Sequence, residues 1–298
     1  MLWQTFRRFW VGTCYLLFCP AIGLAGVNVC QDPGEYSHVS LSVYSHNEAV
    51  IADAVGQSER EGYDLDLLFT MDDTWSFGAG HYYSNLGVEL SGLPTNGHLH
   101  TTVLPVHRHS ARGDKRRFRL SVAPTLSGSS NVMRQPGEYS SDTLQLLAAL
   151  IWSRKLSDRL TFHYGLCGDH RFGGYAVYPS VGIDWRPRDE WRLELGFPET
   201  WLTYKATRSV SLSLGAAPDG NEWHVKNKNL DRESQLVYEA TLVEGVLSWQ
   251  VRDRVTISAS FGRLLDNRYE VTLQDGSQVQ LSSDAEARFA ASLEWRFR

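Results

Sequence analysis

The sequence predicts an all-β fold, an antiparallel transmembrane β-barrel of roughly 14 strands, with about 12 to 16 compatible with its length. Three observations carry this. An export-type leader opens the chain; segments of about ten residues alternate apolar with polar between turn-forming clusters; and no apolar run of 18 residues or sustained helical period follows the leader. The last strand shows the rhythm: Phe289, Ala291, Leu293, Trp295 and Phe297 share one face, and Arg288, Ser292, Glu294 and Arg296 the other.

Residues 1–25 have the layout of a secretory signal peptide, with Arg7 and Arg8 before an apolar run from Phe9 to Leu24 and small residues at Gly23 and Ala25. Gly12, Pro20 and Gly23 interrupt the run, which argues against an anchoring helix. Val27 stands where a lipoprotein signal would need a cysteine. Residues 26–298 then form a single barrel domain, since no Pro/Gly/Ser-rich linker divides them. The chain carries 29 basic against 34 acidic residues, and nothing in that balance recruits nucleic acid. Cys14 and Cys19 lie in the leader; Cys30 and Cys167 remain, and spacing leaves open whether they pair.

The first strand is expected at Ser37–Ser45. Further alternating segments follow at Tyr63–Phe69, Phe118–Leu126, Leu160–Leu166, Tyr175–Trp185, Trp191–Phe197, Val210–Ala216 and Val255–Phe261. Short polar connections fall at 71–74, 110–115, 155–158, 187–189, PDGN at 218–221 and 252–253. Longer stretches lie near 46–61, 85–97, 129–139 and 266–283. Placing short and long connections at opposite ends gives 14 strands with periplasmic termini, provided that Glu190–Lys205 is one long strand bent at Pro198.

Four prolines, Pro105, Pro124, Pro179 and Pro198, fall inside the proposed strands and should mark bulges or ends, because proline lacks the N–H that a ladder needs. Segment 234–251 changes apolar parity after Leu242, which predicts a bulge near Glu244. Leu144–Trp152 is apolar on both parities, so its inner face should pack against something inside the lumen. Trp152, Trp185, Trp191, Trp249 and Trp295 sit near strand ends, as an interfacial girdle requires.

The polar face carries Asp64, Asp66, Arg117, Arg119, Asp184, Arg192, Glu194, Glu294 and Arg296, the candidate charges of the lumen. A soluble secreted lipid-binding barrel alternates in the same way, with the apolar rows turned inward instead. An enzymatic alternative rests on His81 and Ser84 in HYYSN, which resembles the His-x-Ser-Asn stretch of outer-membrane phospholipases and lipid A deacylases. One inserted residue sends the two side chains to opposite faces of a regular strand, away from the contact that an activated serine needs. His98, His100, His107 and His109 split between two faces in the same manner, so no metal site is expected. No motif calls for a cofactor.

The stretches VGIDWRPRDEWRLELGFPETWLTYK, the WHV strand after PDGN, and GRLLDNRYEV, all between 174 and 297, resemble an uncharacterised family of Gram-negative outer-membrane β-barrels carrying a domain of unknown function. The resemblance implies an outer-membrane address, insertion by the barrel-assembly machinery and contact with outer-membrane lipids. Such barrels usually end on an aromatic residue, whereas here Phe297 is followed by Arg298. The expectation is a passive channel for small polar solutes, or an envelope structural protein, with a mixed-charge lumen.

Overall fold

The structure is a computed structural model that describes residues 28–34, 36–52, 57–88, 97–113, 115–227 and 232–297. The expected signal peptide lies outside the described residues. One continuous sheet closes on itself. Three of its strands are each broken once, so the barrel has 14: β1 (Ser37–His46 and Ala49–Ala52), β2 (Gln57–Thr70), β3 (Trp75–Val88), β4 (His98–Val103 and Val106–Ala111), β5 (Arg116–Ser129), β6 (Leu144–Ser157), β7 (Leu160–Asp169), β8 (Ala176–Arg188), β9 (Trp191–Phe197), β10 (Thr200–Lys205), β11 (Val210–Asn227), β12 (Arg232–Arg252), β13 (Val255–Leu273) and β14 (Gln278–Ser283 and Glu286–Phe297). Consecutive strands are antiparallel, and β14 closes the ring against β1 from Ser37↔Phe297 to His46↔Arg288.

The apolar rows face outward. Tyr63, Leu65, Leu67 and Phe69 of β2 are 37, 42, 46 and 52% exposed, while Asp64, between the first two, and Arg60 are each 2% exposed. The same split holds in β13, where Ile257 and Phe261 are exposed and Thr256, Ser258 and Ser260 buried. An exposed apolar belt enclosing buried charge is what hydrocarbon demands and what water penalises. Trp152, Trp185, Trp249 and Trp295 stand exposed toward the short-turn end, and Trp191 packs on Tyr204 beside them.

The total of 14 strands agrees with expectation through two compensating differences. Glu190–Lys205 is two strands, because β9 and β10 form a hairpin with Arg192 opposite Thr203, turning at the cis Phe197–Pro198 bond. PDGN is no turn: Pro218–Asn221 lie inside β11 and pair with Asn221↔Tyr238 and Pro218↔Thr241. Its turn-forming residues are overridden by the long β12 partner, a tertiary effect on weak local preference. The stretch 266–283 is also largely strand, the upper ends of β13 and β14.

Pro105 occupies the break in β4. Pro124 lies opposite that break, its carbonyl accepting from the Leu104 N–H, so its missing donor faces a gap in the ladder. The expected bulge near Glu244 is absent. Leu236, Tyr238, Ala240, Leu242, Glu244 and Val246 are all buried on one inward row, and the ladder shifts at Glu239/Thr241, where β13 supplies the extra residue and Asp266 takes φ 56°. The apparent parity change is a row that is apolar inside near the long-loop end and apolar outside lower down.

That inward apolar stretch exists because the upper barrel is narrowed. Above Ala216, β11 has left its partner β10 and crosses to the opposite wall, where His224 bridges Gly128 of β5 in parallel. The Ser127 hydroxyl donates to the Glu222 carbonyl at 2.6 Å, and Asn221 and Trp223 donate to the Thr101 hydroxyl at 3.0 and 3.1 Å. Strands β11 to β14 and β1 to β5 thus close a smaller upper ring. Its interior is filled by Leu86, Leu99, Trp223, Val225, Leu236 and Tyr238, among others.

Candidate functional site

The inner wall below this ring is built on glycines that act as saddles. Tyr44, Gly62 and Ser84 are lateral neighbours on β1, β2 and β3, and over the bare glycine the Tyr44 hydroxyl reaches the Ser84 hydroxyl at 2.6 Å. Glu244, Gly262 and Arg288 repeat the arrangement on β12, β13 and β14, with an Nη1–Oε2 distance of 2.9 Å. A Cβ on Gly262 would stand 2.6 Å from the Glu244 Cβ, so this position admits no side chain without displacing the pair.

Around these bridges lies a buried charged layer. Arg60 donates from Nε to Ser84 at 3.3 Å, lies 3.9 Å from Asp219, and stacks over Tyr238 with 4.6 Å to the ring centre. Arg288 lies over Tyr44, and Glu286 is held by Ser58, Ser283 and His46 at 2.8, 3.0 and 3.2 Å. Asp64 and Asp219 are 2 and 1% exposed. Neither carboxyl group has a hydrogen-bond partner among the described residues, and the Arg60 guanidinium is the cation beside Asp219. Arginine suits such a confined layer, because its planar fork pairs and stacks at once.

The second layer is the N-terminal segment. Residues 28–34 enter the lumen, where Val29 and Cys30 pack on Ala123, Leu147, Ala149 and Ile151, the inner face that the sequence left without an outer explanation. A disulfide joins Cys30 to Cys167 of β7 with 5.8 Å between Cα atoms. Arg119 donates to the Cys30 and Gln31 carbonyls and lies 3.9 Å from Asp32. Burial pushes the Asp32 carboxyl up, but Arg119 and the Gly34 N–H outweigh it and hold the group below its ordinary value. This contact therefore contributes at neutral pH and is lost as pH falls through the lowered value. Behind the segment, Arg171 donates to Asp169 at 3.1 Å and to Tyr178 at 2.9 Å, and Asn28 donates to Glu199 at 3.3 Å.

Between the segment and strands β1 to β4, β13 and β14 remains a cavity of about 170 Å³. Asp32, Asp66 and Glu294 line it with Ser40, Ser42, Ser258, His38 and His107, and no Lys or Arg among the described residues does.

The nine candidate lumen charges are distributed over several levels. Asp64 and Arg119 belong to the buried layers, and Asp66, which accepts from the Tyr82 phenol, faces the cavity. Arg192 holds Asp184 and Glu194 at 3.1 and 2.8 Å on the wall of β8 and β9, and Arg296 holds Glu294 at 2.5 Å. Arg117 ends its inward row at the exposed rim. Arg60, Asp219, Glu244, Glu286 and Arg288, which make the constriction, are not among the nine. Arg60 and Asp219 fall in segments read as connections, Glu244 and Glu286 stand among apolar or small neighbours, and Arg288, read on the polar face of the last strand, shows its partner only through register.

Ser84 is inward and bound to Tyr44 and Arg60, whereas His81 is outward and contacts Thr102 at 3.0 Å. The pair has no mutual contact. His98 and His100 are likewise outward and His107 and His109 inward, and among the described residues no group of three His, Cys, Asp or Glu is placed to hold a metal.

A family model described as a domain of unknown function, DUF6268, matches residues 117–294. No curated protein matches the chain in sequence. Among solved structures, the COG4313 outer membrane channel from Pseudomonas putida F1 is similar at 11% identity and a TM-score of 0.45, covering 90% of this chain and 100% of that one. The Pseudomonas putida toluene transporter TodX is similar at 14% and 0.41, over 90% and 91%, and the KdgM porin at 6% and 0.38, over 87% and 99%.

Proposed function

Because the chain belongs to the DUF6268 family, which brings no assigned activity, we propose from its own residues that it is a channel-type β-barrel of the Gram-negative outer membrane, held closed in the described state. The observation that supports this best is the reversal of an ordinary protein's polarity, with Leu67 and Phe69 46 and 52% exposed around Arg288 and Glu286 at 0%. Its partners are outer-membrane lipids on the apolar belt and, during biogenesis, the barrel-assembly machinery. A secreted soluble barrel would turn those rows inward.

Passage is restricted at two heights, by the packed upper ring and by the tethered N-terminal segment. The cavity beside that segment, lined by Asp32, Asp66, Glu294 and several hydroxyls together with Val29, Leu68 and Val103, favours small polar solutes over anions. Conductance in planar bilayers tests the closed state. The wild-type protein is expected to insert and hold a seal at low voltage, and steady ohmic conductance with an intact Cys30–Cys167 disulfide would contradict it. A Ser84→Ala variant compared for lipid A or phospholipid turnover addresses the hydrolase alternative, and equal background in both proteins is expected from the separation of Ser84 and His81.

A further inference from the structure

The short-turn rim carries an arrangement of like charges that no carboxylate among the described residues balances. Arg116 of β5 and Arg154 of β6 are direct cross-strand partners, both exposed on the outward face. Arg112 extends the row, since its N–H donates to the Arg116 carbonyl at 2.9 Å and its side chain is also exposed. Adjacent strands lie about 4.8 Å apart, so three guanidinium groups are presented within some 10 Å of one another. Like charges directly opposite each other destabilise a sheet. Among the described residues none of the three forms an ion pair with a carboxylate; the nearby Asp158 is taken by Lys155 at 2.8 Å.

The next outward row toward the membrane is aromatic. Phe118 and Trp152 pair directly, with ring centres 5.3 Å apart, and Trp152 stacks on Tyr164 at 5.8 Å. A tryptophan and tyrosine cluster of this kind settles at headgroup depth. The arginine row therefore stands one step beyond, at the level of the lipid phosphates on the short-turn side.

We propose that Arg112, Arg116 and Arg154 form a binding site for the phosphate of an anionic phospholipid whose glycerol and upper acyl chains lie on Phe118, Trp152 and Tyr164. Guanidinium groups bind phosphate through paired N–H donors, and the lipid supplies the negative charge that offsets their mutual repulsion. The inference rests on the membrane reading above and adds to it a preferred lipid class and a place on the barrel.

The test uses the full-length protein, titrated in detergent with phosphatidylglycerol or phosphatidylcholine of matched chains and read by native mass spectrometry. Insertion into phosphatidylcholine vesicles is scored separately by heat-dependent mobility. Wild type is expected to retain phosphatidylglycerol preferentially. The triple change Arg112→Gln, Arg116→Gln, Arg154→Gln should weaken retention by roughly fivefold per charge removed, on the order of a hundredfold together. If the triple variant fails to fold, Arg154→Gln alone should still give about a fivefold loss. Equal retention of the two lipids by wild type, equal retention of phosphatidylglycerol by wild type and variant, or displacement of the lipid by millimolar inorganic phosphate would each overturn the proposal. Failure to insert into any vesicle would overturn the membrane reading and this site with it, whereas insertion without lipid preference overturns the site alone.

Discussion

Replacing Arg288 with alanine should lower the stability of the folded barrel by about 3–5 kcal/mol, the range for removing one partner of a buried ion pair. Arg288 is 0% exposed and Glu244 1%, and the 2.9 Å bond between them passes over Gly262. Without the guanidinium, the Glu244 carboxylate stays buried with no cation in contact, and Tyr44 loses the charge above its ring. The pair is costly to break and not necessarily costly to replace. The double change Arg288→Met, Glu244→Leu removes both charges and keeps volume, so it should recover most of the loss. Reversible unfolding in vesicles, by urea titration followed through tryptophan fluorescence, measures both variants. A single variant within about 1 kcal/mol of wild type would mean that water reaches this layer and that it is not the enclosed constriction described above.

The second large effect is expected on the other face. Ala259→Arg places a charge midway along the outward apolar row of β13, between Ile257 and Phe261, which are 45 and 53% exposed. In a bilayer this should cost about 2–4 kcal/mol, less if the site lies nearer an interface. The same change in a soluble protein, at an exposed position, would be nearly neutral. The vesicle unfolding assay distinguishes the two, and a parallel Arg254→Ala change at the exposed short-turn rim should stay within about 0.5 kcal/mol.

The fold was legible where local pattern and tertiary environment agree. In Tyr63–Phe69 of β2, Thr256–Phe261 of β13 and Phe289–Phe297 of β14 apolar residues face outward and polar or small ones inward, so period-two alternation reports the sheet directly. Leu144–Trp152 was legible for the same reason, since apolar residues on both parities imply a second buried surface, which the Cys30 segment supplies. Legibility failed where the upper ring changes the environment. Pro218–Asn221 has turn chemistry yet lies in a ladder, because β11 there is paired with β12 and pressed against β5. Pro198 suggested a bend and is instead the corner of a hairpin.

The candidate site was harder to read because its geometry is lateral. Tyr44, Gly62 and Ser84 meet only through register, as do Glu244, Gly262 and Arg288, and alternation along one strand says nothing of register between two. A glycine on the inward parity, flanked on both neighbouring strands by long polar residues, is the signal that would have pointed to these bridges once the pairing was known.

The most direct test of the account is the direction of one adjacent pair of side chains in a bilayer. Ile257→Cys and Ser258→Cys variants, each carrying a nitroxide and reconstituted in phospholipid vesicles, can be compared by collision with molecular oxygen, which partitions into lipid, and with a water-soluble nickel chelate. The account predicts strong oxygen and weak nickel relaxation at 257, with oxygen relaxation falling sharply at 258, because one faces acyl chains and the other the lumen. Equal behaviour at the two positions, or lipid contact at 258 in place of 257, would contradict it.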